Sequence, residues 1–419
     1  MGSTETTFRA LLKERYLGSG IVEKLTYPKN PFLAMLQKKG DTGFVGFDLP
    51  VPLFYSNPQG LGGNFTAAQT NVSNTKSDRW VITAGDYYGV VHIGDKVFEL
   101  SRSNQGAFLD NKRAEIDGLY TQAGDNMSKY MWGNGGGSLG RRQSISSNTV
   151  TLATVADACN FEVGMTVVAS AADGSISTDA LRGGTPTTVT GVNRSDGTVT
   201  LAAAANITSF ADGDYLFREG DFFGTTGTIV VKGAQCFVTA TNVPMDLWGI
   251  SSATRQTDLE RFSGCRVSAN EIAGKTYEER ILLLIAKMTG AYKAEAPTAG
   301  FVHPETFVKF ATLLSARGIR PLEDKNTQFG FMKIDVITSD GVLPIYTDRH
   351  CPKDEFFGFK MDNWGLSSVG ELFHPQSVDG SSGDLLRRAS STDFEFRLLS
   401  YPALYCNAPK NNGRVPLES

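Results

Sequence analysis

The stretch from about Asn104 to Trp132 constrains this chain most. Phe108, the stem of Lys112, Ile116, Leu119, Tyr120, Ala123, Met127, Tyr130 and Met131 recur at three- and four-residue steps, which places them on one face of a helix. Asp110, Arg113, Asp117, Gln122 and Lys129 fall on the other face. Ser101 and Ser103 offer capping oxygens ahead of it, and the run Gly133-Asn134-Gly135-Gly136-Gly137 tolerates the backbone angles that end a helix. At 1.5 Å per residue the helix would be roughly 40 Å long, beyond the usual three to four turns. Gly118 and Gly124 each cost it up to about 1 kcal/mol relative to alanine, so packing along one side must hold it. It is a spine for what surrounds it.

Ahead of the spine, Ser3 to Tyr16 reads as a short helix ended by Gly18-Ser19-Gly20, and the segment to Thr42 is broken by Pro28 and Pro31. Neither can form a core alone. Phe44 to Tyr55 alternates Val45, Phe47, Leu49, Val51 and Leu53, but Pro50 and Pro52 lack ladder donors and confine the strand to an edge. Trp80 to Phe98 is a second extended run, and Ser56 to Ser77 between them is a polar tip. A two-stranded ribbon is marginal by itself in water, so its natural support is another copy of the chain.

Behind the spine, Arg141 to Asp221 is rich in Thr, Val, Ala and Gly without helical period. It carries a repeat: Asn148-Thr-Val-Thr-Leu-Ala with Phe161 and Gly164 matches Gly197-Thr-Val-Thr-Leu-Ala with Phe210 and Gly213 at constant offset. The repeat predicts two related strand-turn units closing a small barrel or sandwich, with Asp196-Gly197 as a hairpin turn. Further on, the sequence predicts strands over Ile229–Lys232 and Phe237–Ala240 and a helix across Met245–Phe262. Thr276 with Glu279 forms a capping box for a helix burying Ile281, Leu282, Leu284, Ile285 and Met288. Pro304 opens another helix, ending at Gly318, with Phe307, Phe310, Ala311 and Leu314 as its apolar face. Strands follow at Lys333–Thr338, Leu343–Tyr346, Glu355–Met361 and Phe394–Leu399, the first pair joined by Asp340-Gly341. This irregular alternation is an α+β pattern, and 419 residues suffice for two or three domains.

No constellation demands catalysis, and no catalytic, cofactor-binding or metal residue is assigned. Gly274-Lys275-Thr276 ends like a phosphate loop, but Ala269 stands where its first glycine belongs. Gly135, Gly137 and Gly140 have dinucleotide-loop spacing yet follow a helix instead of a strand. His92, His303, His350 and His374 lack metal-ligand spacing, and Cys159, Cys236, Cys265, Cys351 and Cys406 form no CxxC pair and read as reduced, mostly buried thiols. The net charge is −4 with scattered Lys and Arg, so no basic stripe marks a groove that reads nucleic-acid sequence. The longest apolar run, Ile281 to Ala286, is too short to span a bilayer and the start lacks a signal-peptide pattern, so the expectation is a cytosolic chain without a membrane partner.

The order of parts, together with Leu343-Pro-Ile-Tyr-Thr-Asp348, Met361-Asp-Asn-Trp364, Gly370-Glu371 and the stretch Ser400 to Val415, resembles the major capsid protein of tailed bacteriophages, the Hong Kong ninety-seven capsid fold. The resemblance implies an N-terminal arm (1–42), an extended β-hairpin loop (43–98), a peripheral domain with the spine helix (99–140, 222–244 and 385–419) and an axial domain (245–384). An inserted all-β domain (141–221) is not part of the minimal fold. Phe394 to Val415 would complete the peripheral sheet. It further implies hexamers and pentamers of self in an icosahedral virion assembled in the host cytoplasm, portal and decoration proteins as partners, and packaged double-stranded DNA held without sequence-specific binding. The short start suggests no fused scaffolding segment, hence a separate scaffold. Some relatives cross-link a lysine to an asparagine; Lys76 is such a lysine only by position, and no cross-link is assigned. Two alternatives fit the same residues: an encapsulin-type cargo shell, or a glycan-active protein with a β-sandwich module.

Overall fold

A computed structural model of the chain describes residues 30–39, 44, 46, 48–94, 105–183, 186–202, 209–227, 231–241, 244–316, 333–376, 386–387 and 394–418. The predicted helix at Ser3–Tyr16, the capping serines 101 and 103, Ile229 and Val230 of the predicted strand Ile229–Lys232, Gly318 and the side chains of Phe108, Lys112 and Leu314 lie outside the described parts. The spine helix runs over Gln105–Trp132. Ile116, Tyr120, Ala123, Met127, Tyr130 and Met131 are buried, as the periodicity requires.

That face meets an antiparallel pair, Tyr87–Ile93 with Phe394–Ser400. Tyr120 and Phe396 approach to 6.2 Å between ring centroids, and the Asn126 amide donates to the Tyr87 hydroxyl at 3.1 Å. At its far end the helix inserts Trp132 among Phe32 (4.8 Å), Phe357 (5.3 Å) and Phe359 (5.7 Å). Phe32 belongs to the short helix Pro31–Met35, so the described end of the arm is fastened to the spine by aromatic packing.

The second extended run is not one strand. Lys76–Thr83 pairs with Asp48–Ser56, whereas Tyr87–Ile93 turns away to pair with Phe394–Ser400. The Gly85 amide donates to the Pro402 carbonyl at 2.9 Å and pins the turn between them. Alternation along a strand fixes its faces but not its partner.

A six-stranded mixed sheet carries the other core, in the order Cys265–Arg266, Gly413–Pro416, Glu355–Phe359, Ala299–Val302, Gly341–Thr347, Lys333–Thr338. The helix Tyr277–Gly290, with the predicted Thr276 and Glu279 capping box, buries Ile281, Leu284, Ile285 and Met288 in a cluster with Val302, Ile345 and Val415. Pro304–Ala316 adds Phe307 and Phe310 to it. A three-stranded sheet of Gln37–Lys39, Trp364–Ser368 and Pro402–Cys406 connects this core to the arm. The closing strands are therefore shared among three sheets instead of completing one.

Three predicted elements between the barrel and this sheet are corrected, the first being Ile229–Lys232, whose described residues Val231 and Lys232 form no strand. Phe237–Ala240 is not a strand; a helical turn spans Ala234–Phe237. Met245–Phe262 is not one helix but two short ones, Ser252–Thr257 and Leu259–Ser263, capped by Ser251 and Asp258. Trp248 (φ +48°) and Gly249 (φ +87°) occupy left-handed backbone, which a helix cannot pass through. Arg255, fully buried, donates to the carbonyls of Met245 (2.7 Å), Cys236 (2.7 Å) and Phe262 (3.2 Å), satisfying acceptors that regular structure would otherwise use.

The predicted β-rich segment is a closed six-stranded barrel, ordered Tyr215–Arg218, Ser138–Ser146, Thr149–Leu152, Thr198–Leu201, Thr187–Asn193, Thr166–Ser170. The two repeats supply three strands each and pair with one another through Thr149–Thr151 and Thr198–Thr200. Phe161 and Phe210 are buried and Gly164 and Gly213 both have positive φ, so the sequence match is a structural one. The barrel begins at Ser138, slightly before the expected Arg141. At its entrance Gly136 lies so close to the Asp173 carbonyl that a Cβ would collide with it, so the glycine run is a packed joint.

Candidate functional site

The most distinctive surface is the ribbon of Asp48–Ser56 and Lys76–Thr83. Leu49, Val51, Leu53, Trp80 and Ile82 point to one side and are buried, while Pro50 and Pro52 face solvent, as their alternation predicts. The root is fastened to the body. Trp80, with 0 % exposure, meets Phe237 and Phe262 edge-on at 6.0 and 6.4 Å, and the Arg255 guanidinium lies 5.8 Å from its ring centroid. The Val81 amide donates to the Trp248 carbonyl at 3.0 Å.

Beyond Ser56 the picture reverses. Asn64 accepts from the Ala67 amide at 2.8 Å and caps a helix over Phe65–Thr70, and the Asn71 amide donates to the Leu61 carbonyl at 2.9 Å. The tip is thus ordered by its own polar groups, yet its apolar side chains are open: Leu61 is 75 % exposed, Phe65 77 % and Val72 65 %, joined by Phe54 (67 %) on the outer face of the adjoining strand. Composition alone predicts a polar tip over Ser56–Ser77. The missed signal is that Leu61, Phe65 and Val72 have no alternation or helical period that would bury them locally, and that the strand's alternation turns Phe54 to its outer face. A second exposed apolar group lies at the edge of the six-stranded sheet, where Ile337 and Val342 sit opposite each other, with Val308 and Leu313 exposed on the neighbouring helix.

The residues considered for chemistry are scattered. Gly274-Lys275-Thr276 joins two capping boxes, Ser268 with Glu271 and Thr276 with Glu279. His374 Nδ1 bonds the Glu371 carbonyl oxygen at 2.7 Å, and His303 Nδ1 accepts from the Glu305 amide at 3.3 Å. His350 is buried, which lowers its pKa. Burial pushes the thiol of Cys236 up to about 11 and those of Cys265 and Cys406 up to about 12, far from reactive thiolates. Lys76 stands exposed at the last register position of the ribbon, opposite Ser56. Among the described residues no group of three or more His, Cys, Asp or Glu is placed to hold a metal, and no helix is long and apolar enough to cross a membrane.

No protein-family model and no curated protein matches the chain. Solved structures do. The cyanophage A-1(L) capsid asymmetric unit is 11 % identical, with 93 % of this chain and 92 % of that one covered at a TM-score of 0.45. A capsid protein of an E. coli CFT073 prophage is 8 % identical, with all of both chains covered (100 % each) at 0.41. A structure of Mycobacterium phage Che8 is 9 % identical, covering 92 % and 91 % at 0.40.

Proposed function

We propose that the chain is a structural shell subunit of the tailed-phage major capsid type, forming rings of five and six that close into an icosahedral shell around double-stranded DNA. The observation that carries this reading is the ribbon: rooted in its own body through Trp80, it presents Phe54, Leu61, Phe65 and Val72, which the described residues leave exposed. Exposed apolar clusters of this kind mark contact surfaces. On a ribbon held rigid at its root, such a cluster suits a neighbouring copy, and the contact would bury apolar area at about 25 cal/mol per Å² before association costs.

In this reading the ribbon from Asp48 to Thr83 is the extended loop and Gln105–Trp132 the spine of the peripheral domain. The six-stranded sheet supports the axial region, with Ile337, Val342, Val308 and Leu313 facing other subunits of a ring. The barrel is an insertion that decorates or braces the capsomer. The net charge of −4 suits a wall that encloses DNA without gripping it. A separate scaffold, a portal and decoration proteins would be its partners, and the virion its location.

The test is assembly. The chain is expressed alone and with the products of neighbouring genes, sized by light scattering and imaged by negative-stain electron microscopy. Rings, tubes or closed shells of megadalton mass are expected. A monodisperse monomer under both conditions would overturn the reading.

A further inference from the structure

Lys232 stands on the wall of a cavity of about 580 Å³ between the barrel loop at Asp173, Ser175 and Ile176 and the body at Pro244, Met245 and Asp246. It is only 8 % exposed, and its ammonium lies 4.9 Å from the Phe223 ring centroid and 5.0 Å from that of Trp248. Among the described residues it makes no hydrogen bond and no ion pair. Asp246 favours the ammonium through space, but the hydrogen bonds of the nearby carboxylates go to other donors. Asp173 accepts from Asn134 Nδ2 (2.7 Å) and from the Ser175 amide (3.0 Å) and hydroxyl (2.6 Å), and Asp246 Oδ1 accepts from the Ser252 amide (2.5 Å).

The slot is built by three separate elements. At the end of the spine, Gly135 leaves room for the lysine stem, since a Cβ there would stand 2.8 Å from Lys232 Cγ. From the barrel side comes Phe223. From the body comes Trp248, held at a φ of +48° that a bulky residue rarely adopts, with its carbonyl fixed by the ribbon amide of Val81 at 3.0 Å. Two aromatic faces hold an ammonium in place but accept none of its three N–H bonds. Buried charges are ordinarily paired, and burial here lowers the lysine's pKa. The ammonium faces the cavity, where an acceptor of opposite charge would complete its bonding, and the apolar walls at Ile176, Pro244 and Met245 suit one attached to a short hydrocarbon.

We infer that this cavity is a carboxylate-binding site, in which Lys232 pairs with an acidic group supplied either by a peptide segment or by a small free carboxylic acid. The test is footprinting of the intact chain with acetic anhydride, reading acetylation of Lys232 against exposed Lys76 by mass spectrometry. Glutarate and an acidic Glu-Gly repeat peptide serve as probes, with sodium chloride at equal ionic strength as control. A probe at ten times its dissociation constant should slow Lys232 acetylation about tenfold and raise the melting temperature. The rise should vanish in Lys232→Met, which keeps a hydrocarbon stem between the rings. Protection by the peptide at far lower concentration than glutarate identifies a protein carboxylate as the natural source; equal potency identifies a free acid. If neither probe protects beyond the chloride control, or Lys232→Met keeps the full melting shift, the site does not exist. Should that variant fail to fold, the footprint on the natural chain still decides.

Discussion

Val150 and Val199 face each other at the centre of an antiparallel pair, at equivalent places in the two halves of the internal repeat, so the approximate two-fold axis of the barrel passes between them. Both have 0 % exposure. Equivalent environments should give equivalent energies: Val150→Ala and Val199→Ala should each cost about 2 kcal/mol through lost burial and a residual cavity. Hydrogen exchange of the barrel amides measures it. A large loss for one with none for the other would show that the symmetry stops at the backbone.

How much of this was legible in the sequence depended on whether the deciding contact was local. The Thr276 and Glu279 capping box closes within one turn, and the structure has it where the spacing put it. The repeat was legible because both copies keep the same strand, phenylalanine and glycine positions. Pairing across the fold was not: nothing in Tyr87–Ile93 names Phe394–Ser400 as its partner in place of the ribbon. Arg255 was invisible for a similar reason, because its three carbonyl acceptors are distributed over Cys236, Met245 and Phe262. For the candidate surface, the ribbon could be read from Leu49, Val51 and Leu53, but the exposure of Leu61 and Phe65 depends on where the other described residues pack.

Phe32 holds the described end of the arm. Its ring lies within 5.7 Å of Trp132, Phe301, Phe359 and Trp364 and is 1 % exposed. Phe32→Ala should cost about 3–5 kcal/mol at this point. Leu33 and Leu36 are buried beside it and Gln37–Lys39 pairs with Trp364–Ser368, so the loss should appear as loosening of this stretch first. Limited trypsin digestion followed by mass spectrometry should show rapid cleavage at Lys38 or Lys39 in the variant and slow cleavage in the natural chain. Equal rates in both would mean that the arm is held elsewhere.

Asp348 lies beneath the arm with 0 % exposure, accepting from the Phe32 amide at 3.3 Å and the His350 amide at 3.0 Å. Burial raises its pKa from 3.8 to about 6, against the lowering effect of those amides and of Arg349. A raised carboxyl pKa means that the folded chain binds the proton more tightly than the unfolded one. The contribution to stability is therefore fully present below pH 3.8 and is lost as pH rises through about 6. Neighbouring His350, with a lowered pKa, has the opposite slope below 6.5, so the comparison must be made against a variant that leaves it in place. Asp348→Asn should gain on the natural chain by on the order of 2–3 kcal/mol between pH 4 and pH 7. Thermal melts across that range measure it, and parallel curves would refute the assignment.

The ribbon separates two kinds of substitution. Phe65→Ser with Leu61→Ser changes side chains that are 77 % and 75 % exposed, so the fold should lose no more than about 0.5 kcal/mol. Trp80→Ala removes a ring with 0 % exposure from between Phe237, Phe262 and Arg255, and should cost about 3–5 kcal/mol. If the tip docks on a neighbouring copy, the tip variant should melt like the natural chain yet remain as unassembled subunits by light scattering, because its apolar side chains act only in the contact. The root variant should lose stability first, and assembly only as a result. Closed shells formed by the tip variant at the natural concentration would remove the tip from the interface, whatever the root variant did.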